Sequence, residues 1–166
     1  MKRYIRAAVK SPYGDDYKVR QSLAETTSHT DVLQALAFDS DYGVRMAVAC
    51  NPATPAETLA LLAADPNYYV RAEVVDNLRA ATPEIMAALL EHSEDNYYIR
   101  HIIANCPASG PDTLRFFVDE GVFSEKLAVI NNPSTSYELL LDLAEDHDAQ
   151  VRFEAKQKLD AYRKQR

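Results

Sequence analysis

An acid stands six residues before a recurrent position that is basic throughout: Asp39 before Arg45, Asp65 before Arg71, Glu94 before Arg100, Glu120 before Lys126 and Asp146 before Arg152. Opposite charges repeated at one spacing can do one of two things. They can close on one another as a ladder, or the cations can form a stripe for phosphates. A phosphate stripe does not explain why the acids keep step, so a ladder of structural ion pairs is expected. A second regularity is aromatic. Tyr17, Tyr42, Tyr68, Tyr97 and Phe123 each precede the basic residue by three positions, and Tyr69 and Tyr98 double the ring in two middle copies. Tyrosine there can fill a turn. It can also present a rigid amphipathic surface to a partner, and Tyr42, Tyr68, Tyr69, Tyr97 and Tyr98 are the candidate partner-binding residues. Asn51, Asn77 and Asn132, with Asn105 and Asn131 one place earlier, form a third column suited to capping helix carbonyls.

Residue types that carry catalysis are present but do not gather. His29, His92, His101 and His147 fall at different repeat positions, so no paired metal geometry follows. Cys50 and Cys106 are far apart without Cys-x-x-Cys spacing, which excludes a disulfide framework within the chain. Both read as small packing residues near the end of a short helix. Asp15-Asp16 reads as a solvated loop. There is no Gly-x-Gly-x-x-Gly, Walker loop or Gly-x-Ser-x-Gly. The expectation is therefore no catalytic residue, no metal and no cofactor.

The elements that must position these columns follow from the repeat. The apolar-basic pairs Val19-Arg20, Val44-Arg45, Val70-Arg71, Ile99-Arg100, Glu125-Lys126 (where an acid replaces the apolar residue) and Val151-Arg152 are spaced 25, 26, 29, 26 and 26 residues apart. A shortened copy at Ile5-Arg6-Ala7-Ala8-Val9 fits a terminal cap, and an insertion falls near Arg79-Ala80-Ala81. Each repeat holds two helical segments. Val44 to Cys50 is stopped by Asn51-Pro52, since proline disfavours a helical residue before it. The second segment opens with a Thr54-x-x-Glu57 capping box, echoed at Ser28 to Asp31, Ser109 to Asp112 and Thr135 to Glu138, with Thr82-Pro83 lacking the acid. Leu59, Leu62 and Ala63, like Leu140, Leu143 and Ala144, share one face. Neither helix can bury its stripe alone, so stacking of neighbours is required. The expected division is a cap over 1–18, five repeats over 19–150 and a capping helix over 151–166, within one domain.

Length and charge narrow the classes. A chain of 166 residues can bury a continuous core. Its net charge of −7 and pI near 5.1 provide no general basic field, which argues against nucleic acid or an anionic membrane as partner. The apolar run after Met1 to Arg6 is broken by Lys10 and Pro12, leaving no signal-peptide core. With no long apolar run either, a cytoplasmic protein is expected.

The phrase Val44-Arg45-Met46-Ala47-Val48-Ala49-Cys50-Asn51-Pro52-Ala53-Thr54-Pro55, followed by Leu59, Leu62-Ala63 and Asp65, resembles the leucine-rich repeat variant family, a relative of HEAT-like solenoids. The likeness runs roughly from Tyr17 to Leu159. It implies an all-α, right-handed superhelix of about six two-helix repeats, with some of the shorter helices 3₁₀. In similar arrays the acids and arginines pair within and between repeats. Loss of Arg71 is then expected to leave Asp65 unpaired. One member type carries a cysteine cluster for an iron-sulfur centre, which cannot be carried over because the cysteines are missing. The resulting expectation is a non-enzymatic module that binds a protein or peptide of basic or mixed charge on an inter-repeat surface. Some HEAT-like solenoids are alkylpurine DNA glycosylases, and that alternative is disfavoured because most repeat arginines have an acid in register. A third alternative is a structural role through end-to-end assembly.

Overall fold

The structure, a computed structural model, describes residues 13–77, 81–93 and 96–164. The proposed cap at Ile5 to Val9, the acid Glu94, most of the insertion near Arg79 and the last two residues of the tail lie outside those ranges. Within them the chain forms eleven α-helices: α1 (Tyr17–Thr26), α2 (Thr30–Leu36), α3 (Tyr42–Cys50), α4 (Ala56–Leu62), α5 (Tyr68–Asp76), α6 (Pro83–Glu91), α7 (Tyr97–Asn105), α8 (Pro111–Glu120), α9 (Phe123–Asn131), α10 (Tyr137–Leu143) and α11 (Ala149–Lys164). No strand and no 3₁₀ helix occurs among the described residues, so the shorter helices are α rather than 3₁₀.

Odd-numbered helices start where a short polar side chain caps them. Asp16 accepts from the Lys18 N–H, Asp41 from Gly43 and Val44, Asn67 from Tyr69, Asn96 from Ile99, and Asp148 from Gln150 and Val151. The tyrosine column is therefore the first helical residue after each cap. At α9 the cap position is Val122, and the Glu125 carboxylate reaches back to its N–H instead. Pro52, Pro107 and Pro133 follow the ends of α3, α7 and α9 and prevent their continuation.

The even helices begin differently from the expectation. Thr54 does not cap α4. Its hydroxyl donates backwards to the Val48 carbonyl at 2.6 Å, and Ser109 and Thr135 do the same to Ile103 and Val129 at 2.6 Å. The cap positions are Pro55, Gly110 and Ser136, and α2 starts after His29 rather than Ser28. Thr82 alone of the expected set caps its helix, accepting from the Ile85 N–H at 3.3 Å. Because α4 starts at Ala56 and stops before the turn at Ala63, it is shorter than α3.

Odd helices pack on odd (α1 on α3, α3 on α5, α7 on α9, α9 on α11), and α4, α6, α8 and α10 pack in sequence beside them. The buried stripe runs through Val44, Val48, Val70, Val74, Ile99, Ile103, Val129 and Val151 on one layer. On the other it runs through Leu33, Leu36, Leu59, Leu62, Leu89, Leu114, Phe117, Leu140 and Leu143. Each such side chain contributes about 1.5–3 kcal/mol when buried, and only stacking provides the cover. The described residues form an α-solenoid of five helix pairs followed by one longer helix.

Candidate protein-docking face

The first turn of each odd helix carries two columns at once. One holds the bases, the other the tyrosines. The bases point along the array to the following pair. Arg20 forks Asp39 through Nε and Nη2 (2.6 and 3.0 Å), Arg45 forks Asp65 (2.6 and 3.0 Å), Arg100 forks Glu125 (2.6 and 2.7 Å), and Lys126 Nζ meets Asp146 at 2.6 Å. The six-residue spacing seen in the sequence is real but has another cause. Nη1 of each arginine donates to main-chain carbonyls at its own turn: Arg45 to Asp39 and Ser40, Arg71 to Asp65, and Arg152 to Asp146 and His147. Carboxylates therefore pair between repeats and carbonyls within them. Asp65 belongs to Arg45, so loss of Arg71 does not strip it of its cation. Glu120 is exposed at the end of α8 and makes no ion pair to Lys126. The turn from α8 to α9 is only Gly121-Val122, where a Cβ on Gly121 would run into the Phe117 carbonyl. No turn acid fits there, and Glu125 from the helix itself fills the role, while Arg100 also lies 5.3 Å from the Phe116 and Phe117 ring centres.

The five candidate tyrosines are all exposed, between 42% for Tyr68 and 59% for Tyr97. They divide into contacts rather than one continuous sheet of rings. Tyr69 stacks on Tyr42 of the preceding pair with centroids 6.4 Å apart, and Tyr68 lies 4.6 Å from Tyr69. Tyr97 stacks on His101 at 5.7 Å. Tyr98 crosses from α7 to α5, its hydroxyl donating to Asp76 at 3.1 Å, and that carboxylate holds the phenol above its usual range. Acidic residues crowd the far end of the same helices. Cys50 is exposed rather than buried, and its thiol donates to Glu73 at 2.9 Å. Burial of the sulfur, the Glu73 hydrogen bond and the charges of Glu73, Asp76 and Glu25 push it up to about 12, which leaves an unreactive thiol.

Two shallow grooves lie at the C-terminal ends of the odd helices, away from the turns that carry the tyrosines. One, of about 350 Å³, is lined by Cys50, Pro52, Glu73, Asp76 and Asn77. The other, of about 390 Å³ and more apolar, is lined by Ala81, His101, Ile102, Cys106, Pro107 and Ala108 among others. His101 Nδ1 beside it is buried without a hydrogen-bond partner. Among the described residues no three His, Cys, Asp or Glu side chains gather where they could hold a metal ion. No helix among them is long and apolar enough to cross a membrane.

The asparagines clamp one pair to the next. Asn51 Nδ2 donates to the Ala24 and Thr27 carbonyls, Asn77 to Ala49 and Asn51, and Asn132 to Ala104 and Cys106, at 2.6–3.3 Å. They satisfy carbonyls that the preceding helix leaves open. Asn105 and Asn131 instead bond back to His101 and Leu127 in their own helices. Comparison with known families gives a similarity: residues 42–67 match the model described as leucine rich repeat variant. The match spans α3, α4 and the turn into α5. No curated protein and no solved structure matches the chain. The matched segment is where the columns coincide: Arg45, Asn51, Thr54 and Asp65 each make the contact that defines its column.

Reading the sequence by charge alone missed Ser93, Glu125 and the backward hydroxyl bonds. Registering the copies on the leucine near the end of the preceding helix would have found the first. Three residues after Leu36, Leu62 and Leu143 stand Asp39, Asp65 and Asp146, and three after Leu90 stands Ser93.

Proposed function

We propose that the chain is a non-enzymatic interaction module that docks a protein or peptide segment on the face carrying Tyr42, Tyr68, Tyr69, Tyr97 and Tyr98. One observation carries this reading: five large amphipathic rings stay exposed at the first two positions of three successive odd-numbered helices, α3, α5 and α7, while most other large apolar side chains of those helices are buried. Rings held on helices are rigid, so docking on them orders few side chains. Glu73 and Asp76 on α5, with Glu25 on the neighbouring α1, favour a partner of basic or mixed charge. We place this module in the cytoplasm as a scaffold.

Affinity capture with the full chain, followed by binding measurements on the recovered protein, tests it. Tyr69→Ala with Tyr98→Ala is expected to weaken binding at least tenfold while leaving the melting temperature nearly unchanged, because exposed rings contribute little to the fold. Binding that survives both substitutions defeats the proposal. Tight, steeply salt-dependent binding to DNA in its place supports the nucleic-acid alternative.

A further inference from the structure

One rung of the base-to-acid ladder is left unclosed by the described residues. Between the third and fourth helix pairs the base is Arg71, and the position facing it holds Ser93. Ser93 stands where the acids stand: its N–H donates to Leu90 as those of Asp39, Asp65 and Asp146 do to Leu36, Leu62 and Leu143. Arg71 is set up like its counterparts. Its Nη1 is pinned by the Asp65 carbonyl at 2.7 Å, as that of Arg45 is pinned by Asp39 at 2.8 Å. The Nε–Nη2 edge, which forks a carboxylate in Arg20, Arg45 and Arg100, here meets only the Ser93 hydroxyl at 3.4 Å from Nε. No carboxylate among the described residues lies within ion-pair distance of it. Arg71 is half-buried, and a partly desolvated guanidinium that no carboxylate of the described residues meets is unfavourable until an anion reaches it.

We infer that the Nε–Nη2 edge of Arg71 receives a carboxylate from a docked polypeptide, an Asp or Glu side chain that completes the rung from outside. The planar fork matches two carboxylate oxygens, and its orientation is already set by the turn. Tyr68 and Tyr69 lie on the same helix as Arg71, and Tyr97 and Tyr98 open the next odd helix. For a segment long enough to touch both pairs of rings, the carboxylate offered to Arg71 is taken to come from a side chain rather than a chain terminus. The polypeptide nature of the donor rests on the docking reading above; the carboxylate site rests on the ladder alone.

The test follows the Arg71 Nε–Hε signal by NMR in the full chain. Acetate is titrated against chloride at matched ionic strength, then the capped peptide acetyl-Gly-Asp-Gly-amide against acetyl-Gly-Gly-Gly with a free C-terminus. A saturable shift with acetate and with the Asp peptide is expected. It should vanish in Ser93→Asp, where the chain supplies its own carboxylate, and that variant should melt higher than the parent. Arg71→Lys keeps the charge but loses the fork. In it the acetate response of the Ser93 amide should be lost, a readout that stands if Ser93→Asp folds poorly. The inference is overturned by the absence of a saturable shift, or by one that persists in Ser93→Asp. A response confined to inorganic phosphate or to the free C-terminus also overturns it, as does an acetate response that appears only in Glu94→Gln with Asp95→Asn. Tyr69→Ala with Tyr98→Ala should leave the acetate response intact, so failure of the docking reading and failure of the carboxylate site give different results.

Discussion

At the scale of residues, the direction of each ion pair decides what its loss does. Arg45→Ala leaves the Asp65 carboxylate, 6% exposed, without its cation and is expected to cost about 3 kcal/mol. Arg71→Ala removes a hydrogen bond to a neutral carbonyl and one long contact, and is expected to cost about 1 kcal/mol. Urea unfolding of the two variants checks the order. The same pairs set the acid limit. Burial works to raise Asp39 and Asp146, but hydrogen bonds from Arg20 and Lys126, the N–H groups of Asp41 and Asp148 and neighbouring cations outweigh it, so both sit below the ordinary carboxylate value. A carboxylate with a depressed native pKa binds its proton more readily in the unfolded chain. Its contribution is complete above the unfolded value of about 4 and fades as pH falls through the lower native value. Urea midpoints should hold down to about pH 5 and then drop, and in Asp39→Asn the drop should be smaller. At Cys50 the thiol is pushed up to about 12, so alkylation of the native protein near neutral pH should be slow and Glu73→Gln should speed it.

At the scale of elements, the hydroxyl column shows what the sequence reveals and what it hides. Thr54-Pro55-Ala56-Glu57 satisfies every local rule for a capping box, yet the hydroxyl goes to the Val48 carbonyl. The competing acceptor belongs to the end of the previous helix, and the proline after Asn51 folds the chain back so that it comes within 2.6 Å. A motif rule sees the four residues and not the acceptor. Thr54→Val is therefore expected to leave the Val48 carbonyl with only the longer bond from the Asn51 N–H at 3.2 Å and to cost about 1 kcal/mol by thermal unfolding, without fraying α4. The pairing of helices, the stops at Asn51-Pro52 and Asn132-Pro133 and the buried faces around Leu59 and Leu140 were all legible, because periodicity and proline act locally. The partner of each ladder residue was not, because acid and base meet across repeats and α6 continues one residue past Leu90, where α2, α4 and α10 end on their leucine, so the place three residues after the leucine is Ser93 rather than Glu94. The exposed tyrosines were visible as a column. Their division into a Tyr42–Tyr69 stack and a Tyr98–Asp76 bond depends on how α5 and α7 sit, which no spacing reports.

At the scale of the whole molecule, the inter-repeat steps are not equal. The step from α5 to α7 lacks the acid at Ser93, and it lacks the amide as well, since Cys106 stands where Asn51, Asn77 and Asn132 stand. Stability in a linear array is a sum over neighbours, so the weakest step opens first. Native-state hydrogen exchange at low denaturant should show the amides of α5 and α7 flanking this step exchanging before those between α1 and α3. Ser93→Asp with Cys106→Asn should remove the difference. Uniform exchange along the array would show that the two columns do not control opening.

The matched unit over residues 42–67 has a property that the columns make inevitable. It closes its own carboxylate pair, Arg45 to Asp65, and Asn51 reaches back to the kind of carbonyls that Ala49 and Asn51 themselves offer to Asn77. The carbonyls it offers onward suit the amide it carries. An extra copy spliced in tandem after residue 67 would bring its ion pair with it and remake the amide clamp on its twin, so a chain longer by one whole unit needs no new interface to be invented.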